Sequence, residues 1–156
     1  MNNDKISKLT YQLLRINKAI YKAIDICYIL EDKFVQRKRF DIFIELRGLS
    51  RALHKTTSIF YDTGCEYTRA LYINDDNEQL TRVSNSIILI ASKCEEVLQA
   101  IERLSDIAID HCFAGVSIQV FRTVVYCRRE IETLKTIHGS LTIPGDDLQI
   151  TPTGSQ

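Results

Sequence analysis

From Leu80 to His111 apolar side chains return every three or four residues: Leu80, Val83, Ile87, Ile90, Cys94, Val97, Ile101, Leu104, Ala108 and His111. An α-helix stacks that alternation on one face, so the stretch from Asp76 to His111 predicts one long amphipathic helix that must pack against others. Ala91, Leu98, Ala100 and Ile107 widen the seam on both flanks. The face is broader than a two-stranded coiled coil needs and suits a helix set among several neighbours. Glu95, Glu96, Gln99, Glu102, Arg103, Asp106 and Asp110 form the hydrated side opposite.

The same alternation appears in three further stretches. Ile6, Leu9, Leu13, Ile16, Ile20, Ala23, Cys27, Leu30 and Phe34 define a first helix, with Asn3 or Asp4 as its N-cap. Leu14, Tyr21, Ile24 and Tyr28 form a second apolar stripe on that helix, out of phase with the first. A helix with two apolar faces must bury both or present one, so this stripe is the first candidate contact with a partner. Ile88, Leu89 and Ile109, outward on the long helix, are the second. After a short connection near residues 33–38, Ile42, Leu46, Leu49, Leu53, Thr56 and Phe60 mark a helix expected to end at Gly64. Residues 65–77 read as a short turn or an extended stretch, closed by the polar Asn74-Asp75-Asp76-Asn77 cluster that can cap the long helix. Gly115 is the expected C-cap of the long helix, and Val120, Val124, Cys127, Ile131, Leu134 and His138 give the last helix.

Breakers are scarce: 6 glycines and 2 prolines in 156 residues, with both prolines near the end. Long helices and short connections follow. The expected fold is all-α: an antiparallel, up-down-up-down four-helix bundle over residues 1–139, followed by a polar, flexible C-terminal tail over 140–156. Leu141, Ile143, Leu148 and Ile150 are the tail residues able to lie along a groove of the bundle.

The formal net charge is zero, so the chain as a whole carries no basic excess to condense on nucleic acid or an anionic membrane. Charge is nevertheless segregated. Residues 1–69 carry 13 Lys and Arg against 8 Asp and Glu, whereas residues 70–110 carry 3 against 8. Attraction between neighbouring helices or subunits is the reading this favours. Five cysteines without a CxxC pair point to free thiols in a reducing compartment. No apolar run is long enough for a membrane span, and the polar N-terminal residues do not resemble a signal peptide, so the expected location is cytoplasmic.

Chemistry-bearing motifs are few. No P-loop, GxGxxG, GxSxG, HExxH or inward Glu-x-x-His pair occurs, and His111 beside Cys112 lacks a second ligand pair, so no cofactor and no metal are expected. Arg47, Arg51, His54 and Lys55 fall on one side of the second helix as a cationic strip able to contact phosphate. Arg47 and His54 enclose six residues, and the pair resembles the Arg-x4–6-His motif of HEPN-type helical ribonucleases. Gly48 stands where that motif usually has a polar residue. The resemblance implies His54 in proton transfer and Arg47 stabilising a phosphorane, at a site formed across a dimer.

The function expected from these residues is non-enzymatic: an oligomerising adaptor or scaffold that binds a protein partner, including itself. The alternative is an RNA- or DNA-associated accessory protein, contacting phosphate through Lys33, Arg37, Lys38, Arg39, Arg47, Arg51 and Lys55.

Overall fold

The computed structural model describes residues 2–141, and among these the chain is helical with no strand. Five helices follow in order: α1 Asn3–Gln36, α2 Phe40–Ala70, α3 Asp76–Ser84, α4 Ile87–Asp110 and α5 Ala114–Gly139. They form a helical bundle around one contiguous apolar core. α1 packs along α2 and α5, α4 packs along α5, and α2 meets α3 and α4. Every seam residue expected on α1 and α5 is buried, as is the long seam from Leu80 through Ala108, with His111 half-buried at its end. Leu141, just beyond α5, is also sealed in the core. The rest of the expected tail, Ile143, Leu148 and Ile150 included, lies outside the described residues. Among the described residues no helix is long and apolar enough to cross a membrane.

The long helix expected from Asp76 to His111 is two helices, broken at Asn85-Ser86. Serine and asparagine compete with the helical backbone for its own hydrogen bonds, and three of them stand together here. The Ser86 amide bonds back only three residues, to Val83 O at 3.2 Å, while Ser86 Oγ reaches Val83 O and the Tyr67 hydroxyl. The apolar spacing continues unbroken through the kink, which is why it is invisible in the pattern. At the start of α3 the polar cluster acts as expected: Asp75 Oδ1 accepts from the amides of Asn77 and Glu78, at 2.9 and 3.3 Å.

α2 does not end at Gly64. It runs on to Ala70, with Thr63, Tyr67 and Ala70 continuing its buried face. An interior glycine costs about 1 kcal/mol relative to alanine, whereas fully burying a large apolar side chain contributes about 1.5–3 kcal/mol. Tyr67 beyond it therefore decides the outcome. Gly115 likewise lies inside the first turn of α5. The left-handed residues that close helices are Lys38 (φ 58°) and Cys112 (φ 61°). Both turns share one geometry. Arg39 N bonds Phe34 O and Lys38 N bonds Val35 O, as Phe113 N bonds Ala108 O and Cys112 N bonds Ile109 O, in the Schellman pattern. A non-glycine residue in this region costs about 1–2 kcal/mol. Packing between the turns offsets it: the buried Phe34 ring meets Phe113 edge-on at 5.5 Å and His111 at 4.9 Å. At the other extreme of α1, neither Asn3 nor Asp4 caps the helix, and Asn3 Oδ1 accepts instead from Gln79 Nε2 of α3 at 2.7 Å.

Candidate functional site

The α1–α2 face gathers most of the residues singled out in the sequence. Leu14, Tyr21 and Tyr28 are 66%, 52% and 47% exposed, spaced by seven residues, so they nearly superpose after each two turns. Ile24 does not belong with them. It lies 300° beyond Tyr21 around the helix, which carries it into the core at 2% exposure. Tyr61 of α2 and Tyr11 of α1 join the exposed row. Between the helices this row borders an open groove of about 580 Å³, lined by Leu14, Asn17, Tyr21, Thr57 and Tyr61 among others. Asn17 forms its floor. Asn17 Nδ2 donates to Thr57 O at 3.3 Å, while the buried Oδ1 has no partner. Tyr11 was legible in the sequence, three residues before Leu14 on the same stripe. Tyr61 was not, because only the packing of α2 against α1 brings it there.

The cationic strip of α2 meets this stripe. Arg47 Nε lies 3.6 Å from Glu31 Oε1 of α1, and His54 Nε2 lies 3.0 Å from the Tyr28 hydroxyl. Within the chain, the acids of the long helix are not partners of Arg47 or His54. Pairing between α2 and α4 has the reverse polarity, with Arg103 forked onto Glu45. Glu31 is buried and its Oε2 has no partner; burial pushes its carboxyl above the ordinary range, with Arg47 pulling against that. Arg47 also lies over the Phe43 ring at 5.7 Å. Arg47 and His54 thus stand on one side of α2 with their functional atoms engaged by α1. Arg51 and Lys55 project to solvent.

The basic run at the α1–α2 turn is dispersed by the fold. Lys33 and Arg37 sit over the Phe113 ring at 5.2 and 4.1 Å, Arg39 is forked onto Asp41, and Lys38 closes the turn. Arg51 stands about 18 Å further along α2 at the helical rise, so the expected phosphate contacts do not form one patch. On α4, Ile88, Leu89 and Ile109 are exposed as expected. Ile88 and Leu89 are separated from Ile109 by about 30 Å along the axis, and they form no single surface. A third row escaped the sequence reading: Ile118, Phe121 and Val125 are exposed on α5 at the same three-four spacing.

A buried polar chain was also missed. Tyr67, fully buried, lies 3.2 Å from His138 Nε2 and 2.7 Å from Ser86 Oγ, which lies 2.8 Å from Val83 O. One assignment satisfies all three contacts: His138 Nε2–H donates to Tyr67, Tyr67 to Ser86, and Ser86 to the carbonyl at the kink. Burial lowers the His138 imidazole to about 4 and raises the Tyr67 hydroxyl to about 12, so both are neutral near pH 7. The chain joins α2, the α3–α4 kink and α5; Ser86 lines an open groove of about 510 Å³ beside Thr63 and Glu66, while Tyr67 and His138 are sealed in the interior. Among the described residues no group of three or more His, Cys, Asp or Glu side chains is placed to hold a metal ion. Against known proteins, the chain matches no protein-family model, no curated protein and no solved structure.

Proposed function

We propose that this protein is a non-enzymatic oligomerising adaptor or scaffold, whose α1–α2 face binds another protein chain, a second copy included. The observation that carries the reading is the row Leu14, Tyr21 and Tyr61, exposed along an open groove between the two longest helices, with exposed Tyr28 two turns further along α1. Tyrosine suits such a role, because each ring buries a large apolar area while its hydroxyl keeps a polar contact. Charged side chains rim the row, among them Lys18 and Asp62.

The proposal takes the long helices as running antiparallel, up-down-up-down. Support comes from the ends that meet. Lys5 at the start of α1 donates to Ser140 O past the end of α5, at 2.7 Å, and Phe34 near the end of α1 meets Phe113 before α5. Glu31 with Arg47 and Asn17 with Thr57 pair α1 with α2 in the same opposed sense, as Glu102 with Arg128 and Glu95 with Lys135 pair α4 with α5. Free cysteines, three of them buried, suit a reducing setting such as the cytoplasm.

Native mass by light scattering tests the reading. The wild type is expected to exceed the monomer mass, and Tyr21→Glu with Tyr28→Glu to reduce it at unchanged far-UV circular dichroism. A monomeric wild type at high concentration removes the oligomer. RNA incubated with the protein is expected to stay intact; cleavage that disappears in His54→Ala would replace the adaptor with a ribonuclease.

A further inference from the structure

Between α1 and α5 the surface opens into a groove of about 510 Å³. Its floor is apolar, with Ala19, Ile26 and Ile29, and its walls carry Lys18, Lys22 and Arg122 against one carboxylate, Asp25. The ion pairs among the described residues leave those three cations without a carboxylate partner. Lys18 and Lys22 stand one turn apart, so their ammonium groups repel along one edge. An anionic partner relieves that repulsion.

α4 presents the complementary surface. Asp106 and Asp110 point outward near its end, one turn apart as Lys18 and Lys22 are, with Ile109 exposed beside them and Glu95 further along the helix. Among the described residues Asp106 and Asp110 have no cation within pairing distance, and Glu95 is reached only by Lys135 at 4.0 Å. We infer that the α1–α5 groove is the docking site for the outer face of α4 from a second copy of this chain. Copies then associate head to tail, through two different surfaces. A ridge of side chains on one helix settles into the furrow between two others, as helices pack within a bundle.

Sign and polarity both favour this occupant. A phosphate backbone satisfies the cations and leaves the Ala19, Ile26 and Ile29 floor uncovered, whereas the end of α4 offers the exposed Ile109 side chain between Asp106 and Asp110. The chain carries zero net charge, so each added copy leaves the assembly neutral. The inference rests on the self-association proposed above but uses the groove on the α5 side of α1, which shares only Lys18 with the tyrosine groove.

Sedimentation velocity of charge-reversed proteins tests it. Lys22→Glu with Arg122→Glu, and separately Asp106→Lys with Asp110→Lys, alter exposed residues only, none of them lining the tyrosine groove, and are expected to keep wild-type circular dichroism. Each is expected to weaken association at low salt at least about tenfold, the order set by loss of two close charge pairs. Mixing the two is expected to restore association, because each now meets its opposite, and about 1 M salt to abolish it again. Association of the Asp106→Lys, Asp110→Lys protein at wild-type strength overturns the inference, as does a mixture that stays at the mass of its components. Loss of mass in Tyr21→Glu, Tyr28→Glu alone, with both charge variants at wild-type strength, overturns the groove and keeps the tyrosine face. Binding of single-stranded RNA lost only in the Lys22→Glu, Arg122→Glu protein, without loss of mass, assigns the groove to nucleic acid instead.

Discussion

The residue most sensitive to its surroundings is His138, 2% exposed at the end of α5 and hydrogen-bonded to Tyr67. Burial moves its imidazole from 6.5 to about 4. Between those values the unfolded chain binds a proton that the folded chain does not. The stabilisation is therefore complete above about pH 6.5 and is lost as pH falls toward 4, about 3 kcal/mol over the interval. Glu130 adds a second loss at lower pH. Burial alone would raise its carboxyl, but hydrogen bonds from Gln12 and Arg15 hold it below the ordinary range. Urea midpoints at pH 7, 5.5 and 4.5 are expected to fall more steeply for the wild type than for His138→Gln, which shares the Glu130 contribution. Parallel curves for the two proteins would show that His138 titrates normally. In the sequence His138 is one more seam position. Its partner Tyr67 falls in the stretch read as irregular, and only the continuation of α2 past Gly64 brings the two together.

At the scale of the element, helix ends depart furthest from what local residue types suggest. Glycine stands inside α2 and α5, while lysine and cysteine take the left-handed positions. A Cβ at Gly64 meets nothing within 4 Å. Gly64→Ala is therefore expected to stabilise the protein by about 0.5–1 kcal/mol, by restricting the unfolded chain without a steric penalty. Cys112→Gly is expected to stabilise by up to about 1 kcal/mol, since relief of the left-handed strain exceeds the added freedom of the unfolded chain. Thermal unfolding measures both. A lower midpoint for Gly64→Ala would mean that α2 is not a continuous helix there. The α3–α4 kink has another origin. Ser84, Asn85 and Ser86 are weak helix formers visible in the sequence, but the hydroxyl of Tyr67, nineteen residues earlier, holds Ser86 in place.

For the whole molecule, one core joins all the helices, with α1 buried against both α2 and α5. Without α1, α2 and α5 each lose a principal partner and the core is opened to solvent along both. Far-UV circular dichroism and tyrosine fluorescence are accordingly expected to report the same denaturation midpoint, as an all-or-none transition requires. Two separate midpoints would mean that the α1–α2 pair and the α4–α5 pair melt independently.

Which face of each helix is buried was written in the chain itself. The apolar repeat of α1, α4 and α5 matches the observed burial because hydrophobic spacing is a local property that any packed helix must honour. Three features were decided only by tertiary structure: the partners of each charge, the true helix ends, and the surfaces left uncovered. Opposite charges in distant segments attract equally well on paper, yet the fold pairs Arg47 with Glu31 and Arg103 with Glu45. Glycine predicts a helix end from backbone freedom alone, and burial of Tyr67 outweighs it. A groove such as that between α1 and α5 belongs to neither helix, so no single stretch of sequence contains it.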